Sequence, residues 1–238
     1  MRIQSLLVFD MDGVLVDVTN SYRQTIIEVV KHFTGIVKDF TGTEISNTEI
    51  SNQDIQVAKN RGGANNDWDL TLELVRERGG SPTRQAVVQI FQQIYLGNNH
   101  DGLIAREQWL PRGQLLERLS RRFRLALFTG RERGEALFTL SKFAPDVVFD
   151  PVVGMEDVER EKPDPEGLLK IVEKIKPKEV FYVGDTTDDC RAARAAHVPF
   201  IGVVGPENPL GAELERLFRQ EGAKAVISDV NELERVLP

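Results

Sequence analysis

Short apolar runs that end in polar residues recur along the chain, and amphipathic stretches separate many of them. "SLLVFD" opens the series, closed by Asp10 and followed after one residue by Asp12 and Gly13. Further runs lie at Arg124–Thr129, Asp146–Asp150, Glu179–Asp185 and Pro199–Val204, with a sixth candidate at Ala223–Ser228. Continuous apolar runs of this length predict strands buried on both faces. Between them, "RGQLLERLSRRF" gathers Leu115, Leu116 and Leu119 on one side, and "ERGEALFTLSKF", "PEGLLKIVEKI" and "TDDCRAARAA" read as helices. Strands alternating with helices predict an α/β fold, a Rossmann-like parallel sheet covered on both faces.

The alternation stops between about Val18 and Trp109. "SYRQTIIEVVKHF" and "DWDLTLELVRERG" there carry helical apolar spacing, and no central strand stands out. The expected organisation is a core of residues 1–17 and 110–238 with a helical domain of residues 18–109 inserted after the first strand. Within the insert, Gly62–Asp67 ("GGANND") reads as a turn-rich loop. The repeat "TEISN-TEISN" (Thr43–Asn52) is too short for a solenoid unit and offers Thr, Ser and Asn as N-caps.

Composition narrows the partners. With 238 residues, 41% hydrophobic and 28% charged, the chain is long enough for one large domain or a core with an insert. A net charge of −7 disfavours nucleic acid, whose phosphates call for a basic surface, but leaves room for a local anion pocket. Cys190 is the single cysteine and has no partner for an internal disulfide, so a cytoplasmic location is expected. The N-terminal apolar run is too short for a signal peptide or a membrane span, and no membrane partner is expected.

The polar residues at the strand ends form a chemically coherent set. Ligands of a parallel α/β sheet sit outside the carboxyl ends of the strands. Asp10 and Asp12 follow the first strand, Thr129-Gly130-Arg131 the second, and Gly184-Asp185 the fourth, with Asp188 and Asp189 close behind. Lys162, in "EKPDPEG", follows the third strand beside a helix start marked by Pro163 and Pro165. Clustered carboxylates repel unless protons or a cation neutralise them, and hard oxygen ligands suit Mg²⁺. A carboxylate can also attack phosphorus, while a lysine, a hydroxyl and backbone N–H groups stabilise charge on the phosphoryl oxygens. The rim reads as a phosphoryl-transfer site.

"DMDGVLVD", "LFTGR", "EKPDPEG" and "VGDTTDD" resemble, in order, the four motifs of the haloacid dehalogenase-like hydrolases. The insert is similar to that superfamily's helical C1 cap, as in its phosphoglycolate phosphatase and β-phosphoglucomutase-like branch. The resemblance implies a Mg²⁺-dependent phosphatase acting on a small phosphorylated metabolite through an aspartyl-phosphate. It makes Asp10 the nucleophile and a metal ligand, and Asp12 the general acid and base with its backbone carbonyl on the metal. Thr129 and Gly130 would bind the phosphate, Lys162 would tie phosphate to nucleophile, and Asp185 would bind the metal. Asp189 falls at the second acid of that motif, orienting a metal-bound water or Lys162. Asp188 stands where asparagine is common, which leaves its part in metal binding open.

Other residues have less definite readings. Arg131 either pairs with an acid of the rim or touches substrate, and Asp17 marks the passage from core to insert. Substrate choice is expected in the insert, where Lys59, Arg61, Asn65 and Asn66 either contact the non-phosphate part of the substrate or form an exposed polar turn. His32, His100 and His197 share no spacing, and Cys190 reads as a packing residue. The rivals are a phosphomutase using the same two aspartates, a phosphonate hydrolase with Lys59 as Schiff base, and a catalytically inactive binding protein on the same scaffold. A dehalogenase is disfavoured, because it would leave Asp12 without a proton to handle.

Overall fold

The computed structural model describes residues 5–35, 37–38, 44–45 and 49–238. It divides into two compact units, one of Met1–Asp17, Lys59–Asn65 and Trp109–Pro238, the other of Val18–Ala58 and Asn66–Gln108. Lys59–Asn65, which the sequence places inside the insert, packs with the first unit.

The second unit is helical. After β1 (Ser5–Phe9) the chain enters α1 (Tyr22–Thr34), α2 (Asn52–Arg61, whose last turn belongs to the first unit), α3 (Asp67–Glu77) and α4 (Arg84–Leu96). The apolar stripe of α1, with Tyr22, Ile26, Val29 and Val30 buried, packs on α3 and α4. Tyr22 lies 4.1 Å from Tyr95, ring to ring, and the Tyr95 hydroxyl donates to Glu107 at 2.9 Å. Thr43 and Ser46–Thr48 of the short repeat lie outside the described residues. Its final serine does cap a helix: Ser51 Oγ accepts from the Asp54 N–H at 3.3 Å and Asp54 Oδ2 accepts from the Ser51 N–H at 2.8 Å, a capping box for α2.

The first unit is a six-stranded parallel sheet. β2 (Phe123–Phe128), β3 (Phe149–Val153), β4 (Glu179–Gly184), β5 (Phe200–Val203) and β6 (Ala225–Ile227) join β1 in the order β6-β5-β4-β1-β2-β3. α5 (Leu115–Ser120), α6 (Arg133–Phe143), α7 (Glu166–Ile175), α8 (Thr187–Ala195), α9 (Gly211–Gln220) and the short α10 (Leu233–Val236) accompany the strands. Leu6, Leu7, Val8 and Phe9 are all fully buried, as a central strand covered on both faces requires. Leu6 and Val8 share one core with Ala126, Phe128, Leu168, Tyr182 and Phe218.

One strand departs from its expected span. The run Asp146–Asp150 predicts a strand ending at Asp150, whereas β3 runs from Phe149 through Pro151 to Val153. Proline cannot donate to a ladder and is tolerated on an edge strand, which β3 is. Val148 instead lies exposed before the strand begins.

The strand order places the chemistry. From β1 the chain proceeds to β2 and β3 on one side, then crosses to β4, β5 and β6 on the other. The reversal falls between β1 and β4, and the crevice at their carboxyl ends is where such sheets bind ligands. Phe9 is in register with Leu127 of β2 and Val183 of β4. Asp10, Thr129 and Asp185 therefore emerge on one rim.

Candidate active site

Asp10 continues β1 past its last strand residue, its N–H donating to the Val183 carbonyl at 2.8 Å. The sheet thus fixes its backbone before its side chain is considered. Lys162 Nζ reaches Asp10 Oδ1 and Asp189 Oδ1, each at 2.8 Å, and the Phe128 carbonyl at 3.3 Å. It also donates to the Tyr182 hydroxyl at 3.2 Å, which itself donates to Asp189 Oδ1 at 2.6 Å. Thr186 completes the group, its N–H and hydroxyl donating to Asp189 Oδ2 at 3.0 and 2.6 Å. The return bond from the Asp189 N–H to Thr186 Oγ1, 3.1 Å, makes this pair the capping box of α8.

Burial sets the electrostatics. It pushes the Asp10 carboxyl up to about 7, with Lys162 opposing and the charges of Asp189 and Asp12 adding to the rise. Burial alone would lower the Lys162 ammonium, but Asp10 and Asp189 beside it more than offset this and raise it. Asp189 is also desolvated, yet Lys162 and the Thr186 and Tyr182 donors hold it below the usual carboxylate range. The Tyr182 phenol is pushed well up by burial and by both acids, so it stays a neutral donor. One buried ammonium thus stands between two acids, one comfortably ionised and one poised for neutralisation.

A cation has a place here. Asp10, Asp185 and Asp189 each offer a carboxylate oxygen, and the three lie within 4.8 Å of one another. An all-oxygen carboxylate set suits Mg²⁺. Both oxygens of Asp189 already accept bonds from the protein, Oδ1 from Lys162 and Tyr182 and Oδ2 from Thr186. Gly13 makes room for Asp185: it has φ +70°, and a Cβ on it would collide with that carboxylate.

The remaining rim residues divide by what they touch. Thr129 is buried, its N–H donating to the Val153 carbonyl at 3.0 Å and its hydroxyl accepting from the Arg131 N–H at 3.2 Å. Arg131, also buried, turns to Asp12, and its Nε donates to Asp12 Oδ1 at 2.8 Å. Asp188 faces away from the lysine and accepts the N–H groups of Gly63 and Ala64 at 2.8 and 3.1 Å. Burial raises its carboxyl, against the pull of those two N–H groups.

The 59–66 stretch separates likewise. The Lys59 carbonyl accepts from the Thr187 hydroxyl at 2.9 Å, and the Arg61 carbonyl from Arg191 Nη1 at 3.2 Å. Asn65 Nδ2 donates to Glu161 at 3.0 Å, and its side chain lies against Gly130. Asn66 caps α3, its side chain accepting from the Trp68 and Asp69 N–H groups at 3.1 and 3.3 Å. Capping accounts for Asn66, whereas Asn65 sits beside the expected phosphate loop. Elsewhere, His100 and His197 occupy left-handed turn positions, and His32 is exposed against Phe33. Cys190 is a buried thiol pushed up to about 12 by burial, an inert packing residue.

Tyr182 is a member of the lysine network that lies outside the four motifs read from the sequence. Tyr182 lies within an apolar run and reads as core. A tyrosine in a fully buried strand must still find a partner for its hydroxyl, and that was the available signal.

Comparison with known proteins gives the family. The family model for haloacid dehalogenase-like hydrolases matches residues 7–203. An imidazoleglycerol-phosphate dehydratase of Phytophthora nicotianae is 33% identical over 95% of this chain, and the chain spans 50% of that relative's length. PpaX of Caldanaerobacter subterraneus, a name carrying a provisional assignment as a pyrophosphatase, is 26% identical over 100% of this chain and 96% of its own. A crystal structure of a haloacid dehalogenase-like protein from Bacteroides fragilis superposes with a TM-score of 0.68 at 25% identity, covering 98% of this chain and 100% of that one. Among the described residues, no helix is long and apolar enough to cross a membrane.

Proposed function

Because the chain belongs to the haloacid dehalogenase-like hydrolases, we propose that it hydrolyses a small phosphomonoester through an aspartyl-phosphate on Asp10. The observation that carries this reading is Lys162 Nζ, 2.8 Å from both Asp10 and Asp189 at the point where the strand order reverses. Lys162 holds Asp10 Oδ1, and Oδ2 is the oxygen that attacks phosphorus. Thr129 Oγ1 and the Gly130 N–H take the phosphoryl oxygens, and the lysine charge offsets the negative charge that gathers there. Asp12 gives a proton to the departing alcohol oxygen and then removes one from the water that cleaves the acyl phosphate. Asp189 acts on Lys162, fixing its ammonium through the bond that they share.

The carboxylates fit Mg²⁺, with Asp10 and Asp185 as side-chain ligands and the Asp12 carbonyl as the backbone ligand that the family implies. When bound, the ion would supply charge neutralisation for the phosphoryl oxygens. Residues 1–17 and 110–238 are the catalytic core in this reading, and the helical unit is the cap. Asn65, beside Gly130, is the member of the 59–66 stretch best placed to meet the rest of the substrate.

A phosphate-release screen with Mg²⁺ over a panel of metabolite esters tests the proposal, with Asp10→Asn as blank. The names of the relatives add imidazoleglycerol phosphate and pyrophosphate to that panel. Release from at least one ester, lowered on the order of 10⁴-fold or more in Asp10→Asn, is the expected result. A sugar phosphate isomerised without phosphate release would assign a mutase. No turnover of any ester would leave a binding protein.

A further inference from the structure

We propose that Arg131 is a positioning residue for Asp12, selecting which oxygen of that carboxylate handles the proton; this rests on the phosphatase reading above. Arg131 exposes 1% of its surface, which leaves almost nothing for a ligand to touch. Its Nε, at 2.8 Å, and its Nη2 both donate to Asp12 Oδ1. Neither of these bonds uses Oδ2.

The guanidinium is itself anchored from several directions. Nη1 donates to the Thr139 hydroxyl on α6 at 3.1 Å, and Thr139 is fully buried. The Arg131 N–H donates to Thr129 Oγ1 at 3.2 Å, and its carbonyl accepts from the Met155 N–H at 2.9 Å. The same segment therefore carries the phosphate hydroxyl and the clamp on Asp12. Burying a guanidinium is unfavourable unless it is paired and hydrogen-bonded, and a planar fork holds a carboxylate in a way that a lysine point charge does not.

The clamp has a chemical consequence. Two N–H groups pointing at Oδ1 occupy the acceptor positions of that oxygen, so proton exchange with the reacting group falls to Oδ2. In the first half-reaction the Asp10–phosphorus bond forms, the bond to the alcohol oxygen breaks, and the Asp12 Oδ2 proton passes to that oxygen. In the second, water bonds to phosphorus, the Asp10–phosphorus bond breaks, and the water proton returns to Oδ2. Asp12 keeps a side chain 26% exposed, enough for Oδ2 to meet substrate while Oδ1 is held.

Leaving-group dependence separates aiming from mere support of the fold. kcat/KM reports the first half-reaction, in which an alkoxide needs the proton of Asp12 and a 4-nitrophenolate leaves without it. We expect Arg131→Lys to lower kcat/KM for glycerol 2-phosphate by about 10- to 100-fold and that for 4-nitrophenyl phosphate by less than about 3-fold. Thr139→Val, which releases one anchor of the guanidinium, should move the ratio of the two in the same direction by a few-fold. It decides the matter should Arg131→Lys fail to fold, as judged by circular dichroism and the melting transition. Equal losses on both esters, or no loss on either, would overturn the role of Arg131 while leaving the phosphatase reading intact. A wild-type chain inert toward both esters and the whole panel would remove that reading, and this inference with it.

Discussion

At the carboxyl ends of the strands a lysine stands between two aspartates; at the amino ends an aspartate stands between an arginine and a lysine. The carboxyl-end trio, Lys162 with Asp10 and Asp189, has side chains 2%, 7% and 0% exposed. The amino-end trio, Asp150 with Arg124 and Lys174, is 49%, 43% and 58% exposed. Arg124 and Asp150 also line an open cleft of about 850 Å³. Water screens those charges and leaves each pair worth at most about 1 kcal/mol. Charges that stay ionised where water is excluded exert a strong field on whatever binds beside them. Burial of charge distinguishes the carboxyl end of this sheet from the amino end.

Breaking the buried trio should have the largest effect. Lys162→Met leaves Asp10 and Asp189 facing each other without their ammonium and is expected to cost about 3–5 kcal/mol in urea denaturation of the metal-free chain. A loss below about 1 kcal/mol would show that the two ends are energetically alike.

The pH response should then differ in sign between the ends. Asp10, pushed up to about 7 chiefly by burial, contributes stability that is complete below the ordinary carboxylate range and lost as pH rises through 7. At Asp150 modest burial is outweighed by Lys174 and Arg124, which hold the carboxyl below its usual value. Its contribution is present above about pH 4 and lost as pH falls. In chelator-treated samples, Asp10→Asn should flatten the decline in melting temperature between pH 5 and 8. Asp150→Asn should matter at neutral pH and progressively less as pH falls below the ordinary carboxylate range. An Asp10→Asn variant whose decline matches wild type would contradict the first half of the contrast. The smallest expected effect is that of Asp150→Asn itself at pH 7, within about 1 kcal/mol.

The parallel sheet was legible because four- to six-residue apolar runs closed by polar residues have few other interpretations. Asp10, Thr129 and Asp185 could be placed on the rim for the same reason, since the end of a run locates it. Lys162, by contrast, lies well past the end of β3 and stood out only within "EKPDPEG" beside the other motifs. Position along the chain gives no partner, however. Asp188 and Asp189 are adjacent acids on one helix start, and only the turn of α8 sends one to Lys162 and the other to Gly63 and Ala64. Arg131 was ambiguous because an arginine after Thr-Gly is equally able to face a ligand or a neighbour. Tyr182 was invisible because its ring belongs to the core and only its oxygen belongs to the site.

The opening turn of α8 carries a mechanical consequence. Thr187 and Asp188 grip the 59–64 backbone, and Asp189, the next residue, grips Lys162, which also holds Asp10. Adjacent residues of a helix do not slide past one another, so these attachments move as one lever. That distant stretch of sequence and the lysine beside Asp10 are thereby tied to three consecutive residues of a single helical turn.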